Sequence, residues 1–191
     1  NHRISLRNEL ATDPNDPQYF QQWHLKNTGQ VTGGVADADI DADEAWDLTT
    51  GGPTQLGDTL VIAVIDDGFD LNHEDLNWWK NVAEIPGNGI DDDGNGYTDD
   101  YDGWNAFTGS GNVPSALHGT EVAGVIGAIG NNSVGVSGVS WDVQLMPIAG
   151  ASSAESVVIE AYGYALSQRR RYDQTQGQEG AFVVATNASF G

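Results

Sequence analysis

Leu60-Val61-Ile62-Ala63-Val64-Ile65-Asp66-Asp67-Gly68 decides how the rest of this chain is read. Six apolar, mostly β-branched residues in a row suit a strand buried on both faces, as in a parallel sheet. Two carboxylates and a glycine follow at once. A strand ending this way delivers charge to the carboxyl edge of its sheet, where open α/β folds place their sites. Asp and Gly are also ordinary turn residues, so a strand that merely stops in a polar turn reads the same way.

Composition sets the outer limits. The chain has 191 residues, enough for one domain with a core, and carries 28 acidic against 7 basic residues for a net charge of −21. Such a chain repels nucleic acid and anionic membrane surfaces, and attracts cations. There are no cysteines, hence no disulfides and no thiolate metal sites. No apolar run approaches the roughly 20 residues of a membrane span. The start at Asn1-His2-Arg3 reads as a processed or trimmed end.

Upstream of the central strand, residues 1–30 are polar and broken by Asp13-Pro14 and Asp16-Pro17, which predicts an extended surface arm anchored by Trp23. Residues 37–48 predict a short helix with Asp43 near its start. Gly51-Gly52-Pro53 ends it.

Downstream comes the most biased stretch, Asp91-Asp92-Asp93-Gly94-Asn95-Gly96-Tyr97-Thr98-Asp99-Asp100, with Asp102 just beyond. Six aspartates within twelve residues repel one another unless a cation neutralises them. Oxygens at Asp91, Asp93 and Asn95, a glycine at 96 and the Tyr97 carbonyl follow the first part of a calcium-loop spacing, and Asp99 or Asp100 can close the shell. No Glu stands at the twelfth position, so the spacing argues against an EF-hand pair. A solvated acidic loop is the alternative.

Leu117-His118-Gly119-Thr120-Glu121-Val122-Ala123-Gly124-Val125-Ile126-Gly127 predicts a helix whose small residues pack closely on a neighbour, with His118 at its N-terminus. The helix dipole disfavours an imidazolium there unless a carboxylate opposes it. Val143, Leu145 and Pro147-Ile148 predict a second strand. Ser152 and Glu155 have capping-box spacing and open a helix with an apolar face of Val158, Ala161, Tyr162, Ala165 and Leu166. Arg169-Arg170-Arg171 is placed in its last turn, where cations complement the dipole. Ala181–Ala185 reads as another buried strand. Strand, helix, strand in this order argues a parallel α/β sheet.

Asp66-Asp67-Gly68 and His118-Gly119-Thr120, taken together, resemble the subtilisin-like serine endopeptidases, the subtilases. Asp-Asp-Gly and the arm Asp16-Pro17-Gln18-Tyr19-Phe20-Gln21-Gln22-Trp23 are most similar to the kexin and furin branch. Asn72-His73-Glu74-Asp75-Leu76, Gly130-Asn131-Asn132-Ser133-Val134-Gly135-Val136 and Asn187-Ala188-Ser189-Phe190-Gly191 match further family stretches in the family's order, so the resemblance covers residues 16–191. It implies a three-layer parallel-sheet fold with helices on both faces, incomplete in this chain. It divides the chain into an arm (1–30) and the N-terminal portion of a catalytic domain (31–191).

By the same resemblance, Asp66 would orient the imidazole and His118 would act as general base and then general acid. Asp16, Asp75, the Asn132 side chain and the carbonyls of Gly130, Val134 and Val136 would hold one calcium ion, tying the arm to two core loops. A plain hairpin is the alternative for 130–136. With the acidic loop, that makes two calcium sites. Ser189, Phe190 and Gly191 would pair with substrate. The family's nucleophile lies in a Gly-Thr-Ser motif further on, as does its oxyanion-hole asparagine, and this sequence contains neither. Ser189 lacks the helix-start setting of a nucleophile.

The expectation is therefore a secreted or cell-surface, calcium-stabilised protease acting on proteins or peptides. It would be complemented by its own C-terminal fragment as a second chain. The alternative is a calcium-binding fragment that acts as an interaction or inhibitory module.

Overall fold

β1, Val61–Asp66, lies inside the sheet, and its sequence explains why. Every residue but the half-buried Ile62 is buried, so a run of β-branched side chains meets apolar partners on both faces. The computed structural model describes residues 13–190, which carry three further strands: β2 (Trp104–Asn105), β3 (Gln144–Ala149) and β4 (Val183–Ala188). The order is β2-β3-β1-β4, and every pairing is parallel. Asp66 stands opposite Ala149 at the carboxyl end of β3.

Strand alternation sends successive side chains to opposite faces. Val61, Ala63 and Ile65 pack with Met146, Ile148, Trp104 and Tyr164, beneath the long helix α3 (Glu155–Thr175). Val64 packs on the other face with Leu145, Val143 and Ala123, beneath α2 (Leu117–Gly127). The chain thus has helices on both faces of a parallel sheet. Each large aliphatic buried there contributes about 1.5–3 kcal/mol. A third cluster joins Leu25, Ala42, Trp46 and Trp141 around the short helix α1 (Ala42–Trp46).

Several sequence expectations meet a different arrangement. The predicted arm is docked rather than extended over the surface. Leu25 is fully buried, and Ile40 and Ala42 donate backbone hydrogen bonds to the carbonyls of His24 and Leu25, so residues 24–25 are tied to residues 40–42. Trp23 stays 49 % exposed, and Leu25 is the anchor. α3 starts at Glu155 with Ala154 as its N-cap, and Ser152 Oγ accepts from the N–H of Ala154 instead of closing a capping box.

α3 also runs one turn beyond the arginines, which are held elsewhere. Arg169 pairs with Asp173 and lies over the Phe182 ring, and Arg171 pairs with Glu179. The buried face of α3 is Ala161, Tyr164, Ala165 and Gln168, while Tyr162 and Leu166 remain exposed. The helix is rotated because Tyr164 and Gln168 are drawn to a buried carboxylate, Asp100. The last predicted strand begins two residues later, and its residues 184–186 are exposed, since among the described residues β4 is the sheet's edge and no helix covers one of its faces.

Candidate active site

Two elements converge to make the site. Asp66 is the last residue of β1 and is 1 % exposed. His118 is the second residue of α2, with 57 % of its side chain exposed. Nδ1 of His118 and Oδ1 of Asp66 lie 2.7 Å apart, and the backbone N–H of Asp67 donates to the same oxygen at 2.8 Å. A carboxylate can only accept, so the proton sits on Nδ1 and the lone pair on Nε2, toward solvent.

Glycine makes this approach possible. A Cβ on Gly119 would lie 2.3 Å from the Gly68 carbonyl oxygen and 2.9 Å from Asp66 Cβ. No residue with a side chain lets α2 begin so close to the end of β1. The exposed Asp67 accepts from the N–H of Gly119 at 3.3 Å and stands beside the pair. Hydrogen bonding to Asp66 and its charge, with smaller effects from Asp67 and Glu121, raise the His118 pKa above its ordinary value. The arrangement can accept a proton from a nucleophile at Nε2 and later return it.

The acidic loop is organised differently from its spacing. Asp91 and Asp93 come together, and the third carboxylate beside them is Glu84, with one oxygen of each within 4.8 Å of the others. Glu84 is buried and accepts the N–H groups of Asp92 and Asp93 through Oε1 and that of Asp99 through Oε2. Nothing in the spacing marks it, beyond its place seven residues before Asp91. Asn95 caps the pair, its N–H donating to Asp91 and Asp93, and its side-chain oxygen accepts from Tyr97.

Asp99 turns aside to accept from Asn88 and Gly89. Asp100 faces the core at 0 % exposure, where Asn81, Asn95, Tyr164 and Gln168 all donate to it. Burial pushes its pKa up to about 6, against the pull of those donors. Tyr97 stacks edge-on against Trp104 and Tyr164.

The second predicted cation site is a clamp. Asp16 is 5 % exposed and accepts from the N–H groups of Asn131 and Asn132 and from Ser137 Oγ. Asp75 is 1 % exposed and accepts from the Asn132 side chain and the N–H of Val136. Two buried carboxylates thus meet the 130–136 loop, whose Gly130, Asn132, Val134 and Val136 the sequence singles out. Burial and the charge of Asp16 push the Asp75 pKa up, partly offset by the donors from Asn132 and Val136. The carboxylate oxygens here are occupied by N–H and O–H donors from the loop. Among the substrate-strand residues, Ser189 is exposed, Phe190 packs against the α3-side core, and Gly191 lies outside the described residues.

Comparison with known proteins gives consistent matches. The model of the subtilase family matches residues 57–191. Subtilisin-like protease 1 of Plasmodium berghei is 45% identical over 108 residues, 54% of this chain and 18% of the relative. Neuroendocrine convertase 2 of Bos taurus is 36% identical over 134 residues, 70% of this chain and 18% of the relative. The extracellular basic protease of Dichelobacter nodosus is 32% identical over 153 residues, 71% of this chain and 22% of the relative. The chain therefore spans about a fifth of the length of these curated relatives. Among solved structures, the serine protease of Aeromonas sobria, determined in complex with a chaperone, matches with a TM-score of 0.55 at 27% identity, over 80% of this chain and 23% of that one.

Proposed function

The chain belongs to the subtilase family, and from that premise we propose that it is the N-terminal part of the catalytic domain of a calcium-stabilised serine endopeptidase. The observation that carries this reading is the 2.7 Å contact of His118 with a carboxylate that is 1 % exposed. Asp66 holds the imidazole in the Nδ1–H tautomer. His118 takes the proton of a serine hydroxyl through Nε2 as that serine attacks a peptide carbonyl, and then gives it to the leaving amine. The serine and the oxyanion-hole donor come from polypeptide beyond these 191 residues, which docks along β4. The substrate backbone pairs near Ser189, Phe190 and Gly191.

Two calcium ions support this machinery without entering the chemistry. Asp16, Asp75, Asn132 and the carbonyls of Gly130, Val134 and Val136 would hold one. Asp91 and Asp93, with Glu84, would hold the other, their three carboxylates standing close enough for one cation to bridge. The setting is extracytoplasmic, a reading supported by the Dichelobacter relative, which is named an extracellular protease.

The test is complementation. This chain is combined with a polypeptide carrying the family's Gly-Thr-Ser segment and assayed on a peptide substrate and with a serine-reactive fluorophosphonate. Calcium-dependent hydrolysis, a label on the added polypeptide, and loss of both in His118→Ala are expected. Calcium binding with no hydrolysis and no label would leave instead a calcium-binding interaction module.

A further inference from the structure

We infer that Asp66, Asp67 and His118 form an inhibitory site for a borderline-soft divalent cation, with zinc as the ion it fits. This rests on the reading of His118 as the general base. One ligand atom from each of the three residues lies within 4.8 Å of the other two. The set is not merely acidic, because it contains an imidazole nitrogen. Imidazole with carboxylates favours zinc over calcium, which takes oxygen ligands.

A second observation concerns the same carboxylate. Asp66 is 1 % exposed, and its other oxygen, Oδ2, is buried with no hydrogen-bond partner among the described residues. An orphaned, buried carboxylate oxygen is costly to leave unmade. Geometry needs only small adjustments. Zinc bonds of about 2.0–2.2 Å put neighbouring tetrahedral ligand atoms roughly 3.3–3.6 Å apart. His118 Nδ1 and Asp66 Oδ1, now 2.7 Å apart across a proton, must separate slightly. Asp67 must close in. Both His118 and Asp67 are exposed, each held by one hydrogen bond that the ion would replace. Water completes the shell.

The consequence for the base follows from proton bookkeeping. Zinc bonds to the Nδ1 lone pair, so the proton that sat on Nδ1 leaves and a proton is held on Nε2 instead. The imidazole stays neutral, but its Nε2 has no lone pair to offer. The ion therefore inhibits by fixing the tautomer that cannot accept the serine proton, without blocking the face on which substrate binds.

The experiment uses the full chain with histidine rings labelled with nitrogen-15, kept in excess calcium so that the oxygen-rich sites are filled, and titrated with zinc chloride. The His118 ring nitrogens are expected to exchange their tautomer signature, saturating at one zinc per chain, while His24 and His73 stay unmoved. Asp67→Asn should weaken zinc about tenfold or more while keeping the calcium-bound fold, and His118→Gln should abolish this site. An unmoved His118 ring, or zinc affinity unchanged in Asp67→Asn, overturns the inference. These readouts need no turnover. Failure here with an active complemented enzyme refutes only the zinc site, and zinc binding without hydrolysis refutes the protease reading and with it the inhibition, leaving the zinc site itself.

Discussion

Asp66 acts through His118 twice, holding one tautomer and raising the affinity for a proton. The second effect fixes a sign. A raised pKa keeps the imidazole protonated to higher pH, so the base form is lost as pH falls through that raised value. The acid limb of the activity profile of the complemented enzyme should lie above the ordinary histidine value near 6.5. Asp66→Asn should move that limb down and cut kcat by about 10⁴-fold, because an amide that donates to Nδ1 selects the wrong tautomer. A pH–rate profile of both proteins checks this. An acid limb that stays in place in the variant would mean the carboxylate does not govern the base.

At the scale of elements, α2 and α3 are each held at one particular spot. Gly119→Ala puts a methyl against the Gly68 carbonyl and Asp66. It should cost about 1–3 kcal/mol, read by denaturant unfolding, and should lower activity further by moving His118 off the carboxylate. α3 is tied to the acidic loop by Tyr164 and Gln168 on Asp100 and by Arg171 on the Asp93 carbonyl. Tyr164→Phe keeps the ring packing but removes one donor from a buried carboxylate. A loss of about 1–3 kcal/mol is expected, largest in calcium-free protein. A variant as stable as the parent would show that Asp100 does not depend on this helix.

For the whole molecule, calcium is the expected stabiliser of a chain with net charge −21. An ion that binds only the folded state adds about 2.7 kcal/mol at a hundredfold excess over Kd. Excess chelator should therefore lower Tm by about 5–10 °C in a scanning measurement, and magnesium should restore it poorly. Asp16→Asn should release the docked residues 13–22 from the 130–137 loop, so limited proteolysis should cut there first. Unchanged melting in metal-stripped protein, with the same cleavage pattern, would remove both cation sites. The face of β4 that carries Val184, 47 % exposed, should bind a hydrophobic dye.

What the sequence determined by itself is local or carried by strong patterns. Val61–Ile65 suit a doubly buried strand, and Leu117–Gly127 a closely packed helix, and both form. Asp66 and His118 stand at the ends of those elements, so their meeting is legible once both elements share a sheet. The tertiary structure alone decided which groups converge from remote positions. Glu84 joins Asp91 and Asp93 because the chain folds back, which no spacing rule records. Asp100 leaves the loop for the core because Tyr164 and Gln168, over 60 residues away, offer buried donors. Leu25 rather than Trp23 anchors the arm because the pocket formed with Ala42, Trp46 and Trp141 exists only after folding. Periodicity reports a residue's own element. Partners distant in sequence are chosen by the desolvation cost of whatever is left unmatched, and that cost arises only in the packed molecule.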